Sequence, residues 1–300
     1  MAESHKTWST PVRPEEKQAV PCNICGSRSF KASLSCDGFS YVKCLICGLV
    51  QMNPQPLKTE VKLRYDQHYG EDYLDYQLKN ERAFLDLGLL ALGDVGFYEL
   101  ERELLEKKEG PQRVLDIGCA TGSLLSLLRE RGWETLGVEI SGPQAEYASL
   151  KRKLDVKSIS LEENNFPASY FNVVLASHLI EHLNDPAAMA AEVHRILSPS
   201  GHFFITTPNI SGFQARLFKS RWRSVIFDHL YLFSARTLSK LLERKGFVIE
   251  DIVTWGGLAA GTAPRAVKSL FDKAAKTFGF GDVMIVRAAK KEEKVKGNET

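Results

Sequence analysis

Hydrophobic positions along this chain change rhythm at about residue 113. From there on, short apolar runs alternate with stretches whose apolar residues recur every three or four positions. The runs predict strands over 113–118, 134–140, 156–160, 171–177, 201–208, 247–255 and 282–289. The longer period predicts helices near 122–131, 143–153, 186–197 and 234–245, the last with Ser234 as its N-cap. Strands joined by helical crossovers predict an α/β fold: a seven-stranded, mostly parallel sheet whose final strand is antiparallel.

Upstream the pattern differs. Residues 1–20 read as a polar, disordered leader, and 21–56 as a compact unit with short strands near 39–44 and 48–52, closed by Asn53-Pro-Gln-Pro56. Residues 57–110 read as a helical linker or cap, with tyrosines at 65, 69, 73 and 76. The α/β domain spans 111–290, and 291–300 is a charged tail, predicted disordered. Residues 258–280 insert before the last strand. There Val267, Leu270, Phe271, Ala274 and Phe278 recur at helical spacing, with Arg265, Lys268, Lys273 and Lys276 mainly off that stripe. Two readings stay open: a lid packed on the domain, or peripheral membrane contact through 263–278.

Composition adds bounds. The chain has 300 residues, 44% hydrophobic and 25% charged, with a formal net charge of +2. That supports a globular core and argues against a global field that would attract nucleic acid. No apolar run reaches the roughly 18 residues of a membrane span, and the polar start lacks a signal-peptide core. A cytoplasmic protein with reduced cysteines is the expectation.

Four of the six cysteines are patterned. Cys22-x-x-Cys25-Gly and Cys44-x-x-Cys47-Gly are two turns in which paired thiolates and backbone N–H groups wrap a metal. Together they predict a closed tetrahedral Cys₄ zinc ribbon, structural because every ligand position is filled.

The stretch RVLDIGCATGSLLSLL places a carboxylate, Asp116, just before five small residues: Gly118, Cys119, Ala120, Thr121 and Gly122. In an open α/β sheet this is where ligands bind. The glycine spacing misses the dinucleotide pattern, and the carboxylate favours a ligand with an ammonium group over a pyrophosphate.

These residues, followed by GVEIS, FNVVLASHLIEHLNDP and RILSPSGHFFITTPN, resemble the class I S-adenosylmethionine-dependent methyltransferases over roughly 113–289. The resemblance implies a Rossmann-like fold, S-adenosylmethionine as cofactor, and a cofactor site at Asp116, Gly118, Cys119, Ala120, Gly122, Glu139, Ile140, Ser160, Leu161 and Ser177. Asp116 would balance the methionine ammonium and Glu139 the ribose hydroxyls. Ser160 stands where the family often has an Asp on the adenine amine. The ribbon and CGLVQMNPQP resemble a bacterial subgroup associated with small or lipid-linked acceptors such as sugars and quinone-like compounds.

Ser177-His178-Leu-Ile-Glu181-His182 follows the fourth strand, where the acceptor pocket of that family opens. Three readings compete: His182 or His178 as general base, a divalent cation held by the cluster, or histidines that only position their surroundings. His229, in Asp228-His-Leu-Tyr231, is a further base candidate, set against a plain structural link. The same string matches the peptidase pattern H-x-x-E-H, but the Pro186 that follows leaves no room for the helix it needs. Two other functions remain as alternatives: a zinc-ribbon RNA methyltransferase, disfavoured by the few cations of the ribbon, and a non-catalytic cofactor-binding protein. The oligomeric state is not legible in the sequence.

Overall fold

A computed structural model describes residues 17–36, 38–57, 71–107, 110–257 and 264–291. Its larger sheet runs in the order β12-β13-β10-β9-β6-β7-β8. In chain order these are β6 (Arg113–Ile117), β7 (Glu134–Val138), β8 (Val156–Lys157), β9 (Phe171–Ser177), β10 (Leu197–Pro208), β12 (Phe247–Trp255) and β13 (Val283–Lys290). All neighbours are parallel except β13, which is antiparallel to both β10 and β12. The Rossmann-like expectation and its reversed last strand hold. The connection from β8 returns to β9 on the other side of β6, so the crevice opens at the carboxyl ends of β6 and β9.

Period-two alternation decides which face each strand residue covers. Leu115, Val174, Phe203, Ile205, Val286 and Ala288 look into one apolar cluster; Val114, Val173, Leu175, Phe204 and Ile285 look into another. The second is capped by α1 (Glu71–Asp94) and α2 (Phe97–Glu106), through Leu92, Val95 and Phe97. α3 (Ser123–Glu130) follows β6 on that side through Leu128. The first cluster includes α5 (Pro186–Ile196), α7 (Ala235–Arg244) and the cysteine unit. Ser234 caps α7 with a full capping box to Thr237.

The N-terminal unit is more than the expected ribbon. β3 (Phe39–Cys44) and β4 (Val50–Met52) are joined by β2 (Phe30–Cys36), which the alternating pattern missed, and by β11 (Tyr231–Leu232), which comes from the α/β domain. Cys22, Tyr41, Leu49 and Met52 lie in the same core cluster as Ile205 and Phe233. Part of the expected disordered leader is ordered: β1 (Lys17–Gln18) pairs with β5 (Gln55–Pro56). The rest of the leader, the tail from 292, Tyr65 and Tyr69 lie outside the described residues.

Other differences have local causes. The third strand ends at Lys157 rather than 160, because side chains take the backbone groups that follow: Glu163 accepts from Ser160 N, and Asn164 donates to the carbonyl of Ser160. The helix expected over 143–153 is α4 (Gly142–Glu146), continued by a wider π turn, Tyr147–Lys151. In the insertion, α8 (Arg265–Phe278) does not bury the expected stripe. Phe271 packs against Phe213 and Phe280, and Ala275 is fully buried, whereas Val267, Leu270 and Phe278 face solvent.

Candidate active site

The turn after β6 is built on three left-handed positions at alternate residues: Gly118 (φ 76°), Ala120 (φ 48°) and Gly122 (φ 74°). Gly118 and Gly122 meet that requirement at no steric cost, while Ala120 adopts it as a non-glycine. A Cβ on Gly118 would make only ordinary contact with Leu179, so its backbone angle is the constraint there. At Gly122 a Cβ would lie 2.4 Å from Leu154 Cδ1, so the space this glycine frees is filled by the chain itself.

Glu139, the residue after β7, folds its carboxylate back over the turn. It accepts from Ala120 N at 3.0 Å and from Ser141 N at 2.8 Å. It is nearly buried, and burial raises its pKa against the pull of those N–H groups. Asp116 is 6% exposed, and burial followed by the nearby Glu139 charge pushes its pKa up to about 7. Two buried carboxylates without a cation form an acidic recess, and a ligand carrying an ammonium group and vicinal hydroxyls fits it. Cys119 is buried beside them and Ile140 is half-buried. Thr121 donates to Glu81 of α1, which also pairs with Arg152, so α1 is tied to the lip of the turn.

The two residues expected near adenine sit differently. The N–H of Ser160 is held by Glu163, and the Leu161 side chain is packed in the core. Ser177 ends β9 exposed, beside this recess on the neighbouring strand.

β9 leads directly into the second half of the site. His178 takes a left-handed backbone (φ 51°), anchored by its N–H on Thr206 O. A single 3-10 turn, Ile180–His182, follows, so the peptidase pattern has no helix to sit on. Glu181 is buried and receives Thr207 Oγ1 at 3.0 Å and His178 Nδ1 at 3.3 Å. Burial alone would raise its pKa; the His178 hydrogen bond and the imidazoles of His178, His182 and His229 outweigh it and bring it to about 2.

His182 and His229 meet edge to face, ring centroids 4.7 Å apart. His182 Nδ1 lies 3.0 Å from the Asp228 carbonyl and His229 Nδ1 lies 2.8 Å from the Ser224 carbonyl. A carbonyl only accepts, so both Nδ1 atoms carry hydrogen and both Nε2 atoms keep a free lone pair. Burial, then the neighbouring His229, lowers the His182 pKa to about 4; burial lowers that of His229 too. Glu181, His182 and His229 present ligand atoms that all lie within 4.8 Å of one another. His178 stands at the edge, half exposed. His229, read above as the weaker base candidate, thus joins the inner cluster in preference to His178.

The cysteine unit holds this half in place, a role that no sequence signal announced. Tyr41, 1% exposed, donates its hydroxyl to the carbonyls of Ile226 (2.6 Å) and His229 (2.8 Å). Met52 N bonds Leu230 O, and Leu230 N bonds Glu181 O. The four Sγ atoms of Cys22, Cys25, Cys44 and Cys47 converge within 4.8 Å, with 3.3 Å and 3.6 Å for two of the pairs, and none is in a disulfide. A tetrahedral zinc with bonds of about 2.3 Å separates its sulfurs by about 3.8 Å, so the donor set fits that ion.

Comparison with known proteins bears on the family and the fold. Residues 97–252, just over half of the chain, match the family described as methyltransferase domain. A probable S-adenosylmethionine-dependent methyltransferase of Mycolicibacterium smegmatis is 27% identical, covering 51% of this chain and 59% of its own. The ubiquinone biosynthesis O-methyltransferase of Idiomarina loihiensis is 33% identical over 33% of this chain and 43% of its own. The chain therefore spans about half the length of the curated relatives it matches. A solved complex of the Haloferax volcanii Trm112 methyltransferase activator with a methyltransferase contains a chain of like fold: TM-score 0.52, 14% identity, 76% of this chain and 98% of that one.

Proposed function

The chain belongs to the methyltransferase-domain family, and on that footing we propose that it transfers the methyl group of S-adenosylmethionine to an oxygen or nitrogen of a small or lipid-linked acceptor. The observation that carries this reading is the pair of free Nε2 lone pairs on His182 and His229, one strand away from an acidic recess. When bound, the cofactor supplies an electrophilic methyl group on a sulfonium. The protein has to hold the donor, orient the acceptor and remove its proton. Asp116 would face the ammonium and Glu139 the ribose hydroxyls, with backbone from Gly118 to Gly122 lining the turn. His182 Nε2 would take the proton of the acceptor oxygen or nitrogen as that atom receives the methyl group from the bound cofactor. Burial keeps that imidazole neutral at pH 7, the state a base needs. Ubiquinone O-methyltransferases among the relatives support a small, quinone-like acceptor class for this chain.

A second reading has its own support. Glu181, His182 and His229 converge as metal ligands do, each histidine with its other nitrogen fixed by a carbonyl. In that reading the three side chains would hold a divalent cation, whose Lewis acidity would ease loss of the acceptor proton without His182 acting as base. We further assign the Cys22, Cys25, Cys44 and Cys47 cluster to one structural zinc.

The test is incubation of the purified chain with methyl-labelled cofactor and fractionated cell extract, followed by identification of the labelled product. Label in a small or lipid-extractable metabolite supports the reading, and label in RNA alone sinks it. Activity that survives exhaustive removal of divalent cations favours the base, and metal analysis should return about one zinc per chain.

A further inference from the structure

Among the described residues, one group of exposed large apolar side chains lies on the segment that leads to the acceptor half of the site and on the helix packed against it. α6 (Phe213–Phe218) and the turn after it lead toward His229. In this segment Leu217 is 58% exposed, Phe218 47% and Ile226 37%. α6 is joined to α8 through the Phe213–Phe271 ring contact, centroids 5.0 Å apart, and through Phe213 N to Phe280 O. α8 adds Leu270 at 72% and Phe278 at 76% exposure, one residue before and seven after Phe271. Large apolar side chains this exposed on two neighbouring helices are not scattered surface residues.

Charge tells what covers them. Residues 210–227 contain Arg216, Lys219, Arg221 and Arg223 and no acidic residue, in a chain whose net charge is only +2. Arg216, Lys219 and Arg221 are exposed, and among the described residues none has an acidic partner. The cations alternate with Leu217 and Phe218 in sequence, so head groups and acyl chains would be met together. On α8, Lys276 and Lys268 are paired with Asp94 and Asp272, while Lys273 is exposed. A basic, acid-free stretch with protruding Leu and Phe matches the interface of an anionic bilayer, where apolar insertion and attraction to negative head groups add.

We propose that Leu217, Phe218 and Ile226, with Leu270 and Phe278 of α8, dock this protein on an anionic membrane surface, with Arg216, Lys219 and Arg221 at head-group level. The surface rests on the lipid-linked branch of the functional reading: its acceptor would enter the site from the membrane, past the 222–229 segment that carries His229. The inward packing expected of the insertion and this surface are compatible over its described part, 264–280, since Phe271 and Ala275 pack inward while Leu270 and Phe278 point out; 258–263 lie outside the described residues.

The experiment is co-sedimentation of the full chain with vesicles of phosphatidylglycerol and phosphatidylcholine, or phosphatidylcholine alone, at low and at physiological salt. The expected result is binding to the anionic vesicles at least tenfold tighter than to the neutral ones. Leu217→Ser with Phe218→Ser, and separately Leu270→Ser with Phe278→Ser, should each lower the bound fraction at least fivefold. Arg216→Glu with Lys219→Glu and Arg221→Glu should abolish it. Circular dichroism and cofactor affinity are expected to stay unchanged in all three. No binding to anionic vesicles, or binding that all three variants retain, overturns the proposal. So does a native dimer in light scattering that the same serine variants dissolve, because a second copy would then cover the face. The functional reading fails separately: vesicle binding with a labelled product that stays in the aqueous phase keeps the surface and removes the lipid-linked acceptor.

Discussion

Two buried carboxylates stand at the carboxyl ends of neighbouring strands, one in β6 and one in the turn after β9, and titrate in opposite directions. Asp116 is the penultimate residue of β6, and its pKa is pushed up to about 7 by burial and by Glu139. Glu181 follows β9 and is at least as buried, yet it sits at about 2, since one hydrogen-bonded and two nearby imidazoles outweigh the same burial. One half of the site is already organised by its own hydrogen bonds, from Thr207 and His178 to Glu181. The other holds two buried carboxyls that raise one another's cost of ionisation, a cost that a cationic ligand would relieve. The signs for stability follow. Glu181 contributes stability that is present above about pH 4.5 and is lost as pH falls toward 2. Asp116 is the reverse: its stabilising protonated form is full below about pH 4 and is lost as pH rises through 7.

The largest expected effect separates the halves. His182→Ala should lower turnover by about 10²–10⁴ with the acceptor found by labelling, as loss of a general base does. Cofactor affinity by calorimetry should stay within about twofold. Glu139→Ala should do the converse and weaken cofactor binding by about 1–3 kcal/mol, through loss of charged hydrogen bonds. A common loss of both properties in either variant would mean that the two halves are not independent.

A smaller effect sharpens the contrast within the cradle. A shift from 3.8 to about 7 corresponds to roughly 4 kcal/mol of disfavoured charge at high pH, an upper bound. Asp116→Asn should therefore raise stability of the unliganded protein at pH 8 by roughly 2 kcal/mol or more, and change it little at pH 4. The same variant should bind S-adenosylmethionine at least tenfold less tightly at pH 8. In the native chain, affinity should fall as pH drops below about 7, because the carboxyl must release its proton to meet the ammonium. Denaturant melts at the two pH values check the first claim. Affinity of the native chain that is flat from pH 5 to 8 would falsify the second.

Much of this arrangement was legible in the residues themselves. The seven strands, the glycine turn and the Cys₄ set rest on local signals: short apolar runs, small residues beside a carboxylate, and C-x-x-C-G repeats. What escaped depends on tertiary pairing. β2 reads FKASLSC, whose exposed polar positions hide the strand, and β11 is two residues whose only partner, β4, lies about 180 positions upstream. The placement of His229 beside His182 is likewise non-local, set by the hydrogen bond of Leu230 to Glu181 O. The inward face of α8 was misassigned because its stripe has two apolar edges, and only packing against Phe213 selects between them.

The smallest expected effect concerns that non-local support. The Tyr41 hydroxyl has one hydrogen and two carbonyl acceptors, and both carbonyls, of Ile226 and His229, belong to the segment that carries the second histidine. Without the hydroxyl, Ile226 O still accepts from His229 N, and the loss falls on an acceptor rather than a donor, the less costly omission, so Tyr41→Phe should lower stability by only about 1 kcal/mol. The ring keeps its packing in the core. If the cysteine unit does more than stabilise, the same variant should reduce turnover several-fold at unchanged cofactor affinity, because the 226–229 backbone gains freedom while the Asp116 and Glu139 recess is untouched. A stability loss of that size with full turnover would mean that β4 and β11 alone hold His229, and that the ribbon reaches the chemistry through its strands and not through this hydroxyl.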